Sequence, residues 1–311
     1  GVQTCALPIC INHDGGDVNI VSTSGAVNLT GIAGTGTTEF GFSFAGNVNI
    51  GGNGTTNSTG NVTLSGDRFN STGTYVFRNT GSVSIQPEGT SFNQGFSFDT
   101  RFSLIGTKTG LTIGKASNSA AVTIVNATTI AGPISLLGGN LTLTGALTAT
   151  NSDILLQSVS PGAVTQAAAI TANRLNLSGT GSFTLQHASN NVAVLAGGTS
   201  SVRLGNLSFK DAGSLEIGSV TTAGIFSSGT VLVETETGNL TLAQSINTSS
   251  TSTSAITLNA SRALAAGNGS GGNILVSGSP TITYGSGGMA KLFSGYSVAS
   301  TGLTTLAGGS A

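Results

Sequence analysis

Glu234 and Glu236 stand two residues apart in the run Val231-Leu232-Val233-Glu234-Thr235-Glu236 and form the best-placed carboxylate pair in the chain. On a β-strand, residues i and i+2 point to one side, roughly 7 Å apart. At such a spacing one carboxyl can give a proton while the other takes one, as in glycoside hydrolysis. Against that chemistry, Leu232 leads the same face and no other charge is close in sequence. A solvated strand edge that discourages edge-to-edge pairing is the simpler account. Neither residue is assigned a catalytic role.

Asp14-Gly15-Gly16-Asp17 offers carboxylates and turn carbonyls of the kind that hold calcium, yet the repeated Gly-Gly-x-Gly-x-Asp pattern of calcium-binding β-rolls is missing. His13 and His187 lie far apart and are not paired with cysteine, which argues against zinc. His187 reads as a polar turn or surface residue. Serine and threonine are plentiful, but none has a histidine and an acid beside it to make a nucleophile. Glycine pairs read as turns, since no Lys follows them in a phosphate-loop pattern. The residues therefore predict no catalytic residue, no bound cofactor and no metal ligand: the chain is not expected to be an enzyme.

The elements that would carry these residues are short strands. One phrase recurs: apolar, polar, apolar, then a small or polar turn. It appears as Val18-Asn19-Ile20, Val27-Asn28-Leu29, Val48-Asn49-Ile50, Val62-Thr63-Leu64 and Val83-Ser84-Ile85. It continues as Leu111-Thr112-Ile113, Val122-Thr123-Ile124, Leu141-Thr142-Leu143, Leu175-Asn176-Leu177 and Phe183-Thr184-Leu185. Later copies are Val202-Arg203-Leu204, Leu215-Glu216-Ile217, Leu240-Thr241-Leu242 and Ile256-Thr257-Leu258. The period of two puts both apolar residues on one side, and β-branched residues dominate. No sustained helical period is present.

Longer echoes also occur. Gly41-Phe42-Ser43-Phe44 returns as Gly95-Phe96-Ser97-Phe98, and Gly139-Asn140-Leu141-Thr142-Leu143 as Gly238-Asn239-Leu240-Thr241-Leu242. The two offsets differ, so the repeat is degenerate, with a coil of roughly 18–27 residues. Strands this short suit a parallel β-solenoid, in which each coil stacks on the next at ~4.8 Å and Phe40, Phe42 and Phe44 share a face. About a dozen coils would reach roughly 60–70 Å.

Composition agrees. Charged residues make up 7% of the chain against about 25% in an average domain, and glycine numbers 48. Hydrophobic residues reach 38% and the net charge is −1, which excludes a disordered chain. The ten basic residues are scattered, so no nucleic-acid partner is expected. No apolar run approaches the ~18 residues of a membrane span.

Gly1-Val2-Gln3-Thr4-Cys5-Ala6-Leu7-Pro8-Ile9 differs from everything after it and resembles translated sequencing-adapter DNA. Residues 1–10 are set aside as a non-native leader. If they are native, Cys5 and Cys10 form a bridge or remain free thiols. Residues 11–311 are expected to form one continuous solenoid, with a soft boundary near Gly114 to Ala121 where aromatic content falls. Thr248 to Ser254 and Gly267 to Asn273 read as loops. Sequons at Asn28, Asn61, Asn126, Asn140, Asn176, Asn206 and Asn239 read mainly as turn and strand asparagines.

The chain resembles the filamentous-haemagglutinin-like family of β-strand-repeat bacterial surface adhesins. The likeness rests on Ala131-Gly132-Pro133-Ile134-Ser135-Leu136, Gly139-Asn140-Leu141-Thr142-Leu143, Ile225-Phe226-Ser227-Ser228-Gly229-Thr230-Val231 and Ser279-Pro280-Thr281-Ile282-Thr283. The resemblance implies an all-β, right-handed parallel β-helix, secretion to the bacterial cell surface and a role in adhesion. It implies a stalk region joined to the rest of a larger adhesin at both ends, meeting host or environmental receptors or glycans through multivalent contacts. The alternative is a carbohydrate-active β-helix enzyme or a tail-spike-like glycan-binding domain.

Overall fold

The computed structural model describes residues 11–13, 15–22, 24–32, 40–53, 55–159, 162–264, 268 and 272–306. Residues 1–10 with both cysteines, Asp14, the His13 side chain and most of the Gly267 to Asn273 run lie outside the described residues. The chain is all-β, with parallel strands stacked in about 9 turns: a β-solenoid. Among the described residues, a 3-10 turn, Ser297–Ala299, and one turn of α-helix, Leu303–Leu306, stand near the end. Two compact units divide it, residues 1–142 and 143–311. The stretch from Gly114 to Ala121 lies inside the first.

In unit 1, Val27–Gly31, Val62–Gly66, Val83–Gln86, Leu111–Ile113 and Ile134–Gly138 pair in that order, all parallel. A second sheet takes Val18–Ile20, Val48–Ile50, Tyr75–Phe77 and Phe102–Leu104. A third takes Ile11–His13, Phe42–Phe44 and Phe69–Ser71, while Phe96–Phe98 pairs with Val122–Ile124. The register follows from the phrase itself. Leu64, Ile85, Ile113 and Leu136 fall above one another and are fully buried. A slip of one residue would turn that column outward, at about 1.5–3 kcal/mol for each large side chain exposed.

The aromatic residues of unit 1 share this interior. Phe42 stacks on Phe69 at 5.2 Å between ring centroids, and Tyr75 on Phe102 at 5.1 Å. Phe69 meets Phe96 edge to face at 5.7 Å. The echo between residues 41–44 and 95–98 therefore skips one coil, the one that carries Phe69. Phe40 is less enclosed, with the Arg68 guanidinium 5.4 Å from its ring centroid. Lys108 is wholly buried in this unit. Its Nζ donates to the backbone carbonyls of Phe77, Asn79 and Ile105, and burial lowers its pKa to about 8.

In unit 2, Asp153–Ser158, Ile170–Gly179, Asn191–Gly197, Leu215–Ile217, Leu240–Leu242 and Ile274–Val276 form one parallel ladder. Ala163–Gln166, Ser182–Leu185, Leu207–Asp211, Val231–Thr235, Ile256–Asn259 and Ala290–Phe293 form another. Ile225–Ser227, Ile246–Thr248 and Ile282–Thr283 complete the third side.

Coils vary in length more than the sequence implied. Ser82 bonds Asn61 across 21 residues, Asn49 bonds Asn19 across 30, and Thr281 bonds Ser245 across 36. One expected strand is missing: in Val202-Arg203-Leu204 only Leu204 forms a bridge, to Ser227. The Val202 N–H instead closes a turn onto Thr199, while the Arg203 guanidinium reaches the carbonyls of Ser227 and Asn247.

Side chains just before strands tie successive coils together. Asp17 Oδ1 accepts from Asn47 N–H, Asn47 Oδ1 from Thr74 N–H and Asn61 Oδ1 from Ser82 N–H, at 2.9–3.0 Å. In unit 2, Asn206 Oδ1 accepts from Thr230 N–H at 2.9 Å and Asn239 Oδ1 from Asn273 N–H at 3.0 Å. In each of these bonds the oxygen belongs to the earlier coil and the N–H to the later one. Close backbone approach also demands glycine at places: a Cβ added to Gly132 would overlap the Thr109 carbonyl one coil below.

Candidate functional site

Glu234 lies at the outward fourth position of Val231–Thr235. Parallel pairing sets it directly between Lys210 on one side and Asn259 on the other. Glu236 follows just beyond the strand, where its N–H donates to the Asp211 carbonyl at 2.8 Å. The strand reading holds for Glu234 alone, since Glu236 falls past the strand's end, and the solvated edge is not what the structure shows. Glu234 is 8% exposed, because charged and polar side chains of the flanking coils close over it.

Those neighbours engage both carboxylates. Glu236 Oε1 lies 3.2 Å from Lys210 Nζ and 3.7 Å from Arg262 Nη1. Glu234 Oε1 lies 3.5 Å from Arg262 Nε and accepts from Asn259 Nδ2 at 3.3 Å. With its amide turned to suit its neighbours, Gln186 donates to Glu234 Oε2 at 3.0 Å. Two anions and two cations make the cluster neutral.

Behind the cluster, turned inward, stands a column of buried polar side chains: Asn190, Asp211, Thr235 and Ser261. Asn190 accepts from Ile170 N–H and donates to the carbonyls of Leu185 and Lys210. Asp211 accepts from Val192 N–H at 2.8 Å and Gly213 N–H at 2.9 Å. Its burial pushes its pKa up to about 6 against the pull of those two bonds. Thr235 donates to the Gly238 carbonyl and accepts from Ser261 N–H.

Lys210, Arg262 and Asp211 are the residues that sequence reasoning missed. A signal existed for Lys210: it follows Phe209 as Glu234 follows Val233, so aligning Leu207-Ser208-Phe209 with Val231-Leu232-Val233 sets the two side by side.

The other sequence candidates stay apart. Asp17 serves the backbone of the next coil, and Asp14, its partner in the calcium reading, lies outside the described residues. His187 sits in a turn, where its Nδ1 accepts from Ser189 N–H at 3.2 Å. Among the described residues, no three His, Cys, Asp or Glu side chains gather as metal ligands, and no helix is long and apolar enough to cross a membrane.

Compared with known proteins, the chain matches no family model, no curated protein and no solved structure.

Proposed function

We propose that the chain is a structural stretch of the stalk of a large secreted bacterial adhesin, displayed at the cell surface, where weak contacts repeated coil after coil add up to attachment. One observation carries this reading. On the water-facing side of the sheets, small polar groups recur at one position of successive coils. In unit 1 the column reads Asn28, Thr63, Ser84, Thr112 and Ser135. In unit 2 it reads Thr165, Thr184, Ser208, Leu232, Thr257 and Lys291, interrupted by the leucine and ending on a lysine. Each hydroxyl or amide offers a modest hydrogen bond, and the repetition supplies the avidity. A β-helix enzyme acting on carbohydrate would need carboxyl groups open to its substrate. Glu234 and Glu236 are engaged by Lys210 and Arg262, so we prefer the stalk.

The test uses the full chain coupled to beads at graded density and passed over host-cell layers and glycan-coated surfaces. Retention should rise more steeply than density, while the soluble monomer binds weakly. A tight one-to-one complex, or release of new chain ends from a polysaccharide, would overturn the proposal.

A further inference from the structure

Asp211 is the one member of the inward polar column of unit 2 that can carry a charge. Its carboxylate is wholly enclosed, and its two hydrogen bonds come from the neutral N–H groups of Val192 and Gly213. The column members on either side, Asn190 and Thr235, are uncharged.

The charged groups on the surrounding elements are turned elsewhere. Lys210 precedes Asp211, but strand alternation sends its side chain outward to Glu236. Glu234 and Arg262 face each other in the same outward cluster. Glu216 takes the outward position of Leu215–Ile217, and His187 is in the turn before Asn190, bonded to Ser189 N–H. Among the described residues, no cation lies within ion-pair distance of Asp211. A buried carboxylate without a counter-ion costs free energy that its protonated form does not.

We propose that Asp211 is a proton-operated latch: in mildly acidic surroundings it takes up a proton inside the coil, and unit 2 becomes harder to open. This inference stands apart from the adhesive reading, since it concerns only the interior of unit 2. The sign follows from burial. The folded-state pKa, about 6, lies above the ordinary value of 3.8. The folded form therefore holds the proton more tightly than the open form between those two values. The cost of the charge is present in full at pH 7, and it fades as the pH falls through 6 toward 3.8.

Hydrogen exchange on the full chain, corrected for the intrinsic rate at each pH, reads the latch at the amides of Val192 and Gly213. Protection should rise about tenfold from pH 7.5 to pH 5. Asp211→Asn should show no such rise. Unchanged or falling protection in the unaltered chain, or an equal rise in Asp211→Asn, would overturn the proposal. If Asp211→Asn does not fold, carbon NMR of the Asp211 carboxyl in the unaltered chain decides: a midpoint near 6 supports the latch, and one below about 4.5 sinks it.

Discussion

Glu236 Oε1 lies 3.2 Å from Lys210 Nζ across adjacent coils, and neither side chain is more than one-fifth exposed. An enclosed pair of this kind adds little net stability, but removing one member leaves the other charged and unmatched. Glu236→Ala should therefore lower unfolding stability by about 2–3 kcal/mol in urea titration, with Arg262 relieving part of the loss. Replacing Lys210 and Glu236 together with Met and Leu should restore much of it. A double variant no better than the single one would mean that the pair does not couple.

Phe42 is fully buried and stacked on Phe69. Phe42→Asp puts a charge among aromatic rings and should destabilise unit 1 by several kcal/mol, while Phe42→Ala should cost about 3–5 kcal/mol. Thermal melts of both variants check the order: Asp should be the worse.

Lys108 sets a pH response of opposite sense to that of Asp211. Burial lowers its folded pKa to about 8, below the ordinary 10.5. Between those values the unfolded chain binds the proton more readily, so unit 1 should gain stability as the pH climbs from about 8 toward 10.5. Urea midpoints at pH 7.5 and 9.5 should show the gain. Lys108→Met should remove it, although the variant leaves the carbonyls of Asn79 and Ile105 without their ammonium partner.

Gly132→Ala should destabilise unit 1 by about 2 kcal/mol or more, because the new methyl meets the rigid Thr109 carbonyl. An equally stable Gly132→Ala chain would show that the coils can part there without cost.

The strands were readable in the sequence because their signal is local. Val62-Thr63-Leu64 and Val83-Ser84-Ile85 carry period and apolar identity within three residues, and both are strands with both apolar residues buried. Val202-Arg203-Leu204 carries the same pattern, yet Thr199 supplies a competing turn that the pattern does not register. The charged cluster was half legible. Glu234 and Glu236 are neighbours in sequence, whereas Lys210 and Arg262 come to them from adjacent coils, and variable turn lengths hide which residues align. The depth of Asp211 was hidden too: where Leu207–Asp211 ends and the chain turns inward is decided by bonds to Val192 and Gly213.

The asparagine clamps bind each layer to its neighbours. Asn61, Asn206 and Asn239 each hold out a side-chain oxygen that is filled by an N–H of the coil still to come. Asn190 and Asn118 work the other way, each taking an N–H of the coil already laid, from Ile170 and Phe92. The layers are thus stitched from both sides, and each is gripped by the one before it and the one after.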